Sequence, residues 1–401
     1  MSNVSSSNGQ GVIAPKLRFN GFLEDWELVR IGDVYAERSE RGAENMDLLS
    51  VTMTEGVKMR SDIEGKDNSS EDKSNYKIVY TGDMVYNSMR MWQGASGISP
   101  YDGIVSPAYT ILKPRIPISN GFFAALFKNE RLINAFRKNS QGMTSDTWNL
   151  KYPQIETIKI HIPSVSEQEK ISEFIALVDA KIAKQRILVD SLKKYKRGVI
   201  YELFVNPDSQ FDVEMAAIPM SQLLTEYRNR NTEGLRVCSV AVSRGVVDQI
   251  EHLGRSFAAS DTSHYGQVKF GDVVYTKSPT GDFPFGIVKQ SKLNEEVAVS
   301  PLYGVYTPAS YATGNLIHAY FEQYQYANNY ICTLAQKGAK NTINITNQRF
   351  LEKCIRFPVK ESDREYFSAL LDMLTEKAIK AEKMLEYLLA QKRTLLAKMF
   401  I

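Results

Sequence analysis

The chain has 401 residues, of which 43% are hydrophobic and 24% charged, and its formal net charge is +3. The length exceeds what one ordinary core holds, the composition is typical of a soluble globular protein, and no stretch reaches the roughly 18 apolar residues of a membrane span. A charge this close to zero does not by itself indicate a nucleic-acid partner, so such a partner has to be argued from local charge.

The first half of the chain opens with a polar segment and continues as a mixed region. Residues 1–14 are rich in Ser, Asn and Gly and are predicted to be disordered. Residues 15–163 form a mixed α/β region, in which Gly82-Asp83 lies between two β-rich runs and predicts a turn between extended segments. Residues 61–75 are predicted to be an exposed loop, and residues 120–136 to form a short helix.

A long amphipathic helix is predicted over residues 164–204. Ser166 and Glu169 have the spacing of a capping box, and no proline follows them in this segment. At 1.5 Å per residue, the 39 residues of Ser166–Phe204 span about 58 Å. Its apolar residues occupy positions a, d and e of successive heptads, and they are Ile171, Phe174, Ile175, Val178, Ile182, Leu188, Val189, Leu192, Tyr195, Val199 and Leu203.

The second half repeats the order of the first. A linker at residues 205–210 leads into a second mixed region at residues 211–358, where Gly271-Asp272 predicts the equivalent turn. Residues 315–326 are predicted to form a second short helix. Residues 359–401 are predicted to form a second long helix, whose capping-box pair is Ser362 and Glu365.

Direct matches identify these halves as an internal duplication. Val29–Val57 aligns with Ile218–Val246 at an offset of 189, and Ser166–Phe204 aligns with Ser362–Phe400 at an offset of 196. Small insertions that accumulate in one direction are typical of a diverged tandem repeat, whereas chance matches would not keep their order. The sequence therefore predicts one scaffold used twice.

Each long helix carries a single apolar stripe and would be poorly stable alone in water. The obvious partner for each helix is the other. We therefore predict an α+β fold in which two mixed α/β domains, related by internal duplication, are separated by two long helices that form an antiparallel coiled coil. The alternative is that each helix simply packs on the domain that precedes it.

Most catalytic and metal-binding signatures are missing. The sequence has neither a G-x-x-x-x-G-K-[ST] loop nor a G-x-G-x-x-G motif after a strand, and its four histidines lack the spacing of metal ligands. The three cysteines are scattered, which suggests neither a disulfide framework nor a zinc site and favours a reducing cytoplasm. We therefore predict no catalytic residue, no metal ligand and no cofactor in this chain.

One pair of tetrapeptides resembles part of a methyltransferase site. Ser106–Tyr109 and Ser300–Tyr303 are similar to the S-P-P-Y tetrapeptide with which amino-methyltransferases hold the target base, but both lack the second proline. Neither half contains the Gly-rich loop that would hold the methyl donor. We interpret both tetrapeptides as turns that enter strands, and a self-contained DNA methyltransferase or nuclease stays open as an alternative.

Loops at matched positions carry side chains that can bind DNA. Arg, Lys, Gln, Asn, Ser and Thr hydrogen-bond base edges and phosphates. The scaffold residues match between the halves but these loops do not, which favours two surfaces that read different short sequences. The candidates in the first half are Asn87, Ser88, Arg90, Trp92, Gln93, Gln141, Thr144 and Ser145. Those in the second half are Lys277, Ser278, Thr280, Lys337, Lys340, Asn341 and Thr342.

Basic residues near the ends of the two long helices are candidates for a protein-docking surface. They are Lys193, Lys194, Lys196, Arg197, Lys392 and Arg393. An ordinary solvated charge run is the alternative interpretation.

Three segments have a recognisable pattern, namely Pro15-Lys16-Leu17-Arg18-Phe19 followed by Trp26, the junction from Asn149 to Pro163, and Ser166-Glu167-Gln168-Glu169 at the start of the long helix. Because of these segments, the chain from Pro15 to Ile401 resembles the specificity (S) subunit of type I DNA restriction–modification enzymes. The second copy departs from this pattern, because Ser362-Asp363-Arg364-Glu365 lacks the Glu-Gln pair.

The resemblance implies a fold and a set of partners. The fold has two target-recognition domains, each reading one half of a split DNA target, with helices that set the unread spacer. The partners are double-stranded DNA, two modification subunits that use S-adenosylmethionine, and restriction subunits that use ATP and Mg²⁺. The S subunit itself is implied to be non-catalytic, while the composition and cysteines of the chain favour a cytoplasmic protein with no role at a membrane. A coiled-coil adaptor without a DNA role remains the other alternative.

Overall fold

A computed structural model of the chain describes residues 13–42, 45–53, 55–67, 69–206, 211–337 and 343–401. The chain divides into two compact units. Unit 1 consists of Met1–Ile187 and Glu382–Ile401, and unit 2 consists of Leu188–Ala381. The predicted disordered segment lies outside the described residues except for its last two positions. There the backbone N–H of Ile13 donates to the Asp25 carboxylate, and the Ile13 carbonyl accepts from the backbone N–H of Trp26. Most of the predicted linker, residues 207–210, also lies outside them.

Unit 1 contains ten described strands and the start of a long helix. The strands are β1 (Glu27–Arg30), β2 (Tyr35–Arg38), β3 (Leu49–Thr52), β4 (Gly56–Met59), β5 (Lys77–Val79), β6 (Met84–Asn87), β7 (Ser96–Ile98), β8 (Gly103–Val105), β9 (Tyr109–Pro114) and β10 (Lys159–Ile162). The helices are α1 (Ile31–Val34), α2 (Asn120–Leu126), α3 (Glu130–Asn139), α4 (Tyr152–Ile155) and the long α5 (Val165–Phe204).

The largest described sheet of unit 1 is antiparallel, with the strand order β2-β9-β6-β7. The strands on either side of Gly82-Asp83 do not pair with each other, because β5 pairs with β8 while β6 pairs with β7 and β9. The predicted turn is thus a corner between two sheets. Gly82 takes a positive φ of 92° there, and the buried Asp83 carboxylate accepts two hydrogen bonds from Arg38.

Unit 2 repeats this architecture. Its strands are β11 (Met215–Pro219), β12 (Leu224–Glu226), β13 (Cys238–Ala241), β14 (Gly245–Asp248), β15 (Gly266–Val268), β16 (Val273–Tyr275), β17 (Val288–Gln290), β18 (Val297–Val299), β19 (Gly304–Pro308), β20 (Gln336–Lys337), β21 (Ile343–Asn344) and β22 (Cys354–Pro358). Its helices are α6 (Met220–Leu223), α7 (Gln249–Leu253), α8 (Tyr311–Glu322), α9 (Tyr324–Ile331), α10 (Asn347–Phe350) and α11 (Glu361–Met399). The sheet order β12-β19-β16-β17 matches that of unit 1 strand for strand, as the duplication predicts.

Each short helix predicted from the sequence is in fact two helices. Residues 120–136 contain α2 and most of α3, which are separated because Asn129 caps α3 and its side-chain oxygen accepts from the backbone N–H groups of Arg131 and Leu132. A cap requires an extended backbone, so one continuous helix is excluded. In unit 2 the equivalent break falls at Gln323, between α8 and α9.

The long helices begin at equivalent positions, Val165 and Glu361, with an offset of 196 (361 minus 165). Ser166 and Ser362 are therefore already helical and cannot be N-cap residues, so the predicted capping boxes are wrong. Inside the first turn Gln168 donates its side-chain N–H to the carbonyl of Pro163 at 2.9 Å. Arg364 occupies the equivalent position and donates to the carbonyl of Pro358 at 2.8 Å.

The two long helices contribute to the cores of both units in opposite order. In unit 1, Ile171 near the start of α5 shares a core with Leu396 and Met399 near the end of α11. In unit 2, Leu203 near the end of α5 shares a core with Phe367 near the start of α11. This order is that of an antiparallel pair. It confirms the predicted fold class and excludes the alternative in which each helix packs only on the preceding domain.

The row of buried side chains along each long helix, here called the seam, is narrower than the predicted apolar stripe. Side chains that are buried or half-buried recur at intervals of three and four residues, as at the a and d positions of a coiled coil. The positions that follow this spacing are 171, 175, 178, 182, 185, 189, 192, 196, 199 and 203 in α5, and 367, 371, 374, 378, 381, 385, 388, 392, 395 and 399 in α11. Leu188, Tyr195 and Met384, which were placed in the apolar stripe, are exposed because they lie beside this seam.

Candidate DNA interface

The two loops predicted to bind DNA in unit 1 lie side by side. The first follows β6 and contains a 3-10 turn, Met91–Gln93. The second, residues 141–149, is closed by a backbone bridge between Gln141 and Asn149. The rings of Trp92 and Trp148 join the two loops, with centroids 5.2 Å apart and planes at 81°. We call this surface, residues 87–93 and 141–149, the unit 1 loop surface.

The candidate side chains on this surface differ in exposure. Arg90, Gln141, Thr144 and Ser145 are exposed, whereas Asn87, Trp92 and Gln93 are half-buried. Asn87 accepts from the backbone N–H of Met89, which shapes the turn after β6. Ser88 needs correction as a candidate, because it is buried and its hydroxyl hydrogen-bonds that of Thr110 at 2.8 Å. The Ser88 carbonyl also accepts from Leu150 N at 2.9 Å, so this residue joins the two loops instead of facing solvent.

Two further residues, one beside the unit 1 loop surface and one on it, were missed from the sequence. The guanidinium of Arg137 lies over the Trp92 ring, 5.8 Å from its centroid. Met143 is fully exposed at the tip of the second loop. Arg137 lies in the last turn of α3, where the helix dipole also favours a basic residue. The residue type alone therefore did not distinguish a helix-stabilising arginine from one that contributes to a DNA-binding surface.

The loop after β16 in unit 2 has a different shape from its counterpart. Lys277 adopts φ of +55°, which is unusual for a residue with a side chain. The backbone of Lys277 lies close to Gly286. A Cβ built on that glycine would be only 2.9 Å from Lys277 N. Burial lowers the pKa of Lys277, although Glu226 opposes that shift. Ser278 is exposed, and Thr280 bridges to Phe283 through paired backbone hydrogen bonds.

The second loop of unit 2 is described only at its base. Gln336 pairs with Asn344 across β20 and β21, which matches the bridge between Gln141 and Asn149 in unit 1. Lys337 lies in β20, but only its backbone is described. The other candidates of this loop, Lys340, Asn341 and Thr342, lie outside the described residues.

A third element reaches the same region in each unit and was missed from the sequence. It is the tip of the hairpin β3–β4 in unit 1 and of β13–β14 in unit 2. In unit 1, Lys128 Nζ donates to the carbonyls of Met53, at 2.9 Å, and Gly94, at 2.6 Å, which ties the tip to the end of the 3-10 turn. Burial lowers the pKa of Lys128 to about 8. In unit 2, a Cβ added to Gly281 would lie 3.8 Å from Cγ2 of Val242.

The tetrapeptides Ser106–Tyr109 and Ser300–Tyr303 form the predicted turns. The backbone N–H of Tyr109 donates to the Ser106 carbonyl at 3.0 Å, and that of Tyr303 donates to the Ser300 carbonyl at 3.0 Å. Each serine hydroxyl also accepts a backbone N–H two residues later. These turns lead into β9 and β19, so their interpretation as structural elements is confirmed.

The candidate docking residues fall into two groups. Lys196 and Lys392 lie at equivalent positions in the seams, not on an outer face. Lys196 pairs with Glu322 at 2.9 Å within unit 2, and Lys392 pairs with Asp179 within unit 1. Both are therefore corrected to residues that stabilise their own unit. Lys193, Lys194, Arg197 and Arg393 are exposed and remain candidates.

Neither a membrane-spanning helix nor a metal-binding cluster occurs in the part of the chain that the structure describes. Its helices lack the combination of length and apolar character that crossing a bilayer requires. Nor do three or more His, Cys, Asp or Glu side chains there come together in a way that could hold a metal ion.

The fold consists of two duplicated α/β units with paired long helices. Comparison with known proteins relates this fold to a family. Residues 23–189 match the model of the family described as Type I restriction modification DNA specificity domain. No curated protein sequence matches the chain significantly. This match confirms the resemblance to type I specificity subunits over that region.

A solved structure of an S subunit shares the fold. The chain is similar to the S subunit of a type I restriction–modification system from M. genitalium, with a TM-score of 0.59 and 12% identity over 97% of this chain and 99% of that one. It also matches the HsdS subunit from Thermoanaerobacter tengcongensis, with a TM-score of 0.44 and 14% identity over 94% and 96% of the two chains. A structure concerned with complex assembly of a type I system matches with a TM-score of 0.49 and 13% identity over 94% and 98%.

Proposed function

We propose that this chain is the DNA sequence-recognition subunit of a type I restriction–modification enzyme and that each unit reads one half of a split target. The observation that carries the proposal is the contrast between scaffold and loops. The sheets β2-β9-β6-β7 and β12-β19-β16-β17 have the same order, yet the loops after β6 and β16 differ in sequence and backbone shape. Two equal scaffolds with different exposed loops are suited to two different short sequences.

The chemistry of the exposed side chains supports base reading. Arg90, Gln141, Thr144 and Ser145 in unit 1 and Ser278 in unit 2 are exposed. Arginine and glutamine can form paired hydrogen bonds with guanine and adenine in the major groove, and serine and threonine can contact either bases or phosphates. With a net charge of +3, the chain carries little general attraction for DNA, so we expect its partners to supply much of the phosphate contact.

The long helices are proposed to set the distance between the half-sites and to dock the modification subunits. We expect two modification subunits, which methylate adenine with S-adenosylmethionine, and restriction subunits that use ATP and Mg²⁺. The S subunit is expected to have no catalytic role and to act on DNA in the cytoplasm. The sequence lacks phosphate-loop and dinucleotide-binding motifs, which supports the assignment of catalysis to the partner subunits.

An exchange of domains tests the proposal. Residues 1–163 would be replaced by the same region of a relative that recognises another sequence, and the methylated sites of the assembled enzyme would be mapped on genomic DNA. We expect one half of the recognised sequence to change and the other to stay. The matched control exchanges residues 211–358 and should change the other half. A change in both halves after either exchange would contradict modular reading.

A further inference from the structure

The tips of two equivalent β-hairpins lie beside the proposed reading loops. In β3–β4 the strand register ends with Thr52 opposite Gly56, and in β13–β14 it ends with Ala241 opposite Gly245. Both glycines have positive φ, 74° and 71°, which closes the tight turn without steric cost. The residue pairs that close the two hairpins therefore correspond, with their glycines related by an offset of 189 (245 minus 56).

Both tips lie near the loop that follows the equivalent central strand. In unit 1 the Lys128 ammonium bridges the carbonyls of Met53 and Gly94. In unit 2 the Val242 side chain lies near the loop, since a Cβ built on Gly281 would be 3.8 Å from Val242 Cγ2. Since each loop carries the proposed base-reading residues, DNA that reaches those residues also meets the hairpin tip.

The tips expose side chains that have few partners in the folded chain. Met53 is 51% exposed and Val242 is 37% exposed, although both are apolar. Arg244 is exposed, and within the described residues no carboxylate lies within ion-pair distance of it. Its Nη2 instead hydrogen-bonds the His252 imidazole Nδ1 at 2.7 Å, which orients the guanidinium. By contrast, nearby Arg236 pairs with both Asp248 and Glu295.

We propose that these hairpin tips are a third reading element in each unit and that Arg244 contacts a guanine in the half-site read by unit 2. The inference rests on the proposed function. A guanidinium matches the O6 and N7 acceptors of guanine, and an adjacent apolar side chain such as Val242 fits a thymine methyl group. In unit 1 the equivalent residue is Glu55, which pairs with Lys58. The two tips thus present opposite charges, which suits the reading of different bases.

The test uses the S subunit assembled with its modification subunits. The target is first defined by mapping the sites that the wild-type enzyme methylates. Methylation rates are then measured on a duplex with that target and on duplexes in which each base pair of each half-site is changed in turn. Arg244→Ala is compared with wild type and with Arg356→Ala, a matched control whose exposed arginine lies in β22, in a different sheet. Thermal unfolding checks that both variants fold.

We expect Arg244→Ala to lose about tenfold or more of the preference for one G·C pair in a single half-site, with every preference in the other half-site kept. Arg356→Ala should behave as wild type. An Arg244→Ala variant with all preferences intact would overturn the inference while leaving the proposed function in place. An equal loss on every duplex would mark Arg244 as a phosphate contact and would also overturn it. If the wild-type enzyme shows no sequence preference, the proposed function itself fails.

Discussion

Arg18 and Glu167 form a buried, doubly hydrogen-bonded ion pair across 149 positions of sequence. Nε and Nη2 of Arg18 donate to the two carboxylate oxygens of Glu167, each at 2.8 Å, and Nη2 also donates to the carbonyl of Glu24 at 2.6 Å. Glu167 lies in the first turn of α5, where the helix dipole also favours a negative charge. The pair therefore ties the N-terminal segment of unit 1 to the start of the long helix.

Loss of the Arg18 side chain should destabilise unit 1 strongly. Arg18→Ala leaves the buried Glu167 carboxylate without its partner, which costs about 3–5 kcal/mol. The measurement is urea unfolding of the full chain, followed by hydrogen exchange to assign the loss to unit 1. Lys16→Ala is the matched control, because Lys16 is exposed two residues away and should change stability by less than about 0.5 kcal/mol. Equal stability of the two variants would show that the pair contributes little.

The same pair shows what could be predicted from the sequence. The motif Pro15–Phe19 and the motif Ser166–Glu169 were recognised separately as parts of one resemblance, but nothing in their spacing indicated that Arg18 reaches Glu167. Long-range pairing of this kind depends on tertiary packing. By contrast, the duplication, the corner at Gly82 and the long helices were predictable, because each depends on local periodicity or on residues with restricted backbone preferences.

The lysines of the helix seams show why the docking surface was only partly predictable. A Lys-rich segment indicates a solvated face, and Lys196 and Lys392 lie in such segments. Their aliphatic stems nevertheless occupy a seam position while their ammonium groups reach Glu322 and Asp179. The structure shows that Leu188 and Tyr195 are exposed and lie outside the seam. Only this burial pattern gives the heptad register that places Lys196 and Lys392 in the seam.

Stability in acid should depend on Glu322. Burial alone would raise the pKa of this carboxyl, but His318, Lys196 and Lys289 outweigh burial and hold the pKa well below its usual value. A carboxyl whose pKa is depressed by folding stabilises the protein above its unfolded pKa, and that contribution is lost as the pH falls through the folded pKa. We therefore expect the free energy of unfolding of the wild type to fall as the pH drops below about 4.5, the ordinary value for glutamate.

Urea unfolding between pH 3 and 7 checks this expectation against Glu322→Gln. At pH 7 the variant should be less stable, because the ammonium groups of Lys196 and Lys289 lose their counter-charge. The difference between the two proteins should shrink as the pH falls, since the wild-type carboxyl then becomes protonated and neutral as well. Glu365→Gln is the control, because that side chain is exposed and its loss should leave the pH profile unchanged. Parallel curves for wild type and Glu322→Gln would contradict the role of this carboxyl.

Trp148 should act as a positioning residue of the unit 1 loop surface. Its ring packs against that of Trp92, and an aromatic pair of this kind contributes about 0.5–1.5 kcal/mol beyond its buried area. Trp148→Ala should release the loop of residues 141–149 from the turn after β6. In the assembled enzyme we expect weaker discrimination in one half-site, with the other half unchanged. Methylation rates on singly substituted duplexes measure this effect.

Two variants distinguish positioning by Trp148 from a direct contact with DNA. Trp148→Phe keeps an aromatic ring against Trp92 and should retain most of the discrimination, whereas Trp148→Ala should not. Hydrogen exchange of residues 141–149 supplies a second readout, because a released loop exchanges faster even without DNA. If Trp148→Ala leaves that exchange unchanged and still weakens discrimination, the ring contacts DNA directly.

Arg197 and Arg393 should affect assembly without affecting stability. They lie at equivalent positions, one residue beyond the seam lysines, and both are exposed. Reversal of both charges, in Arg197→Glu with Arg393→Glu, should weaken binding of the modification subunits, because exposed charges guide association more than they stabilise a fold. Lys392→Ala should lower stability without weakening the binding of the modification subunits, since it removes the partner of Asp179 within unit 1. Thermal unfolding and analytical ultracentrifugation of the mixed subunits separate the two effects, and a loss of stability in the double arginine variant would remove these residues from the docking surface.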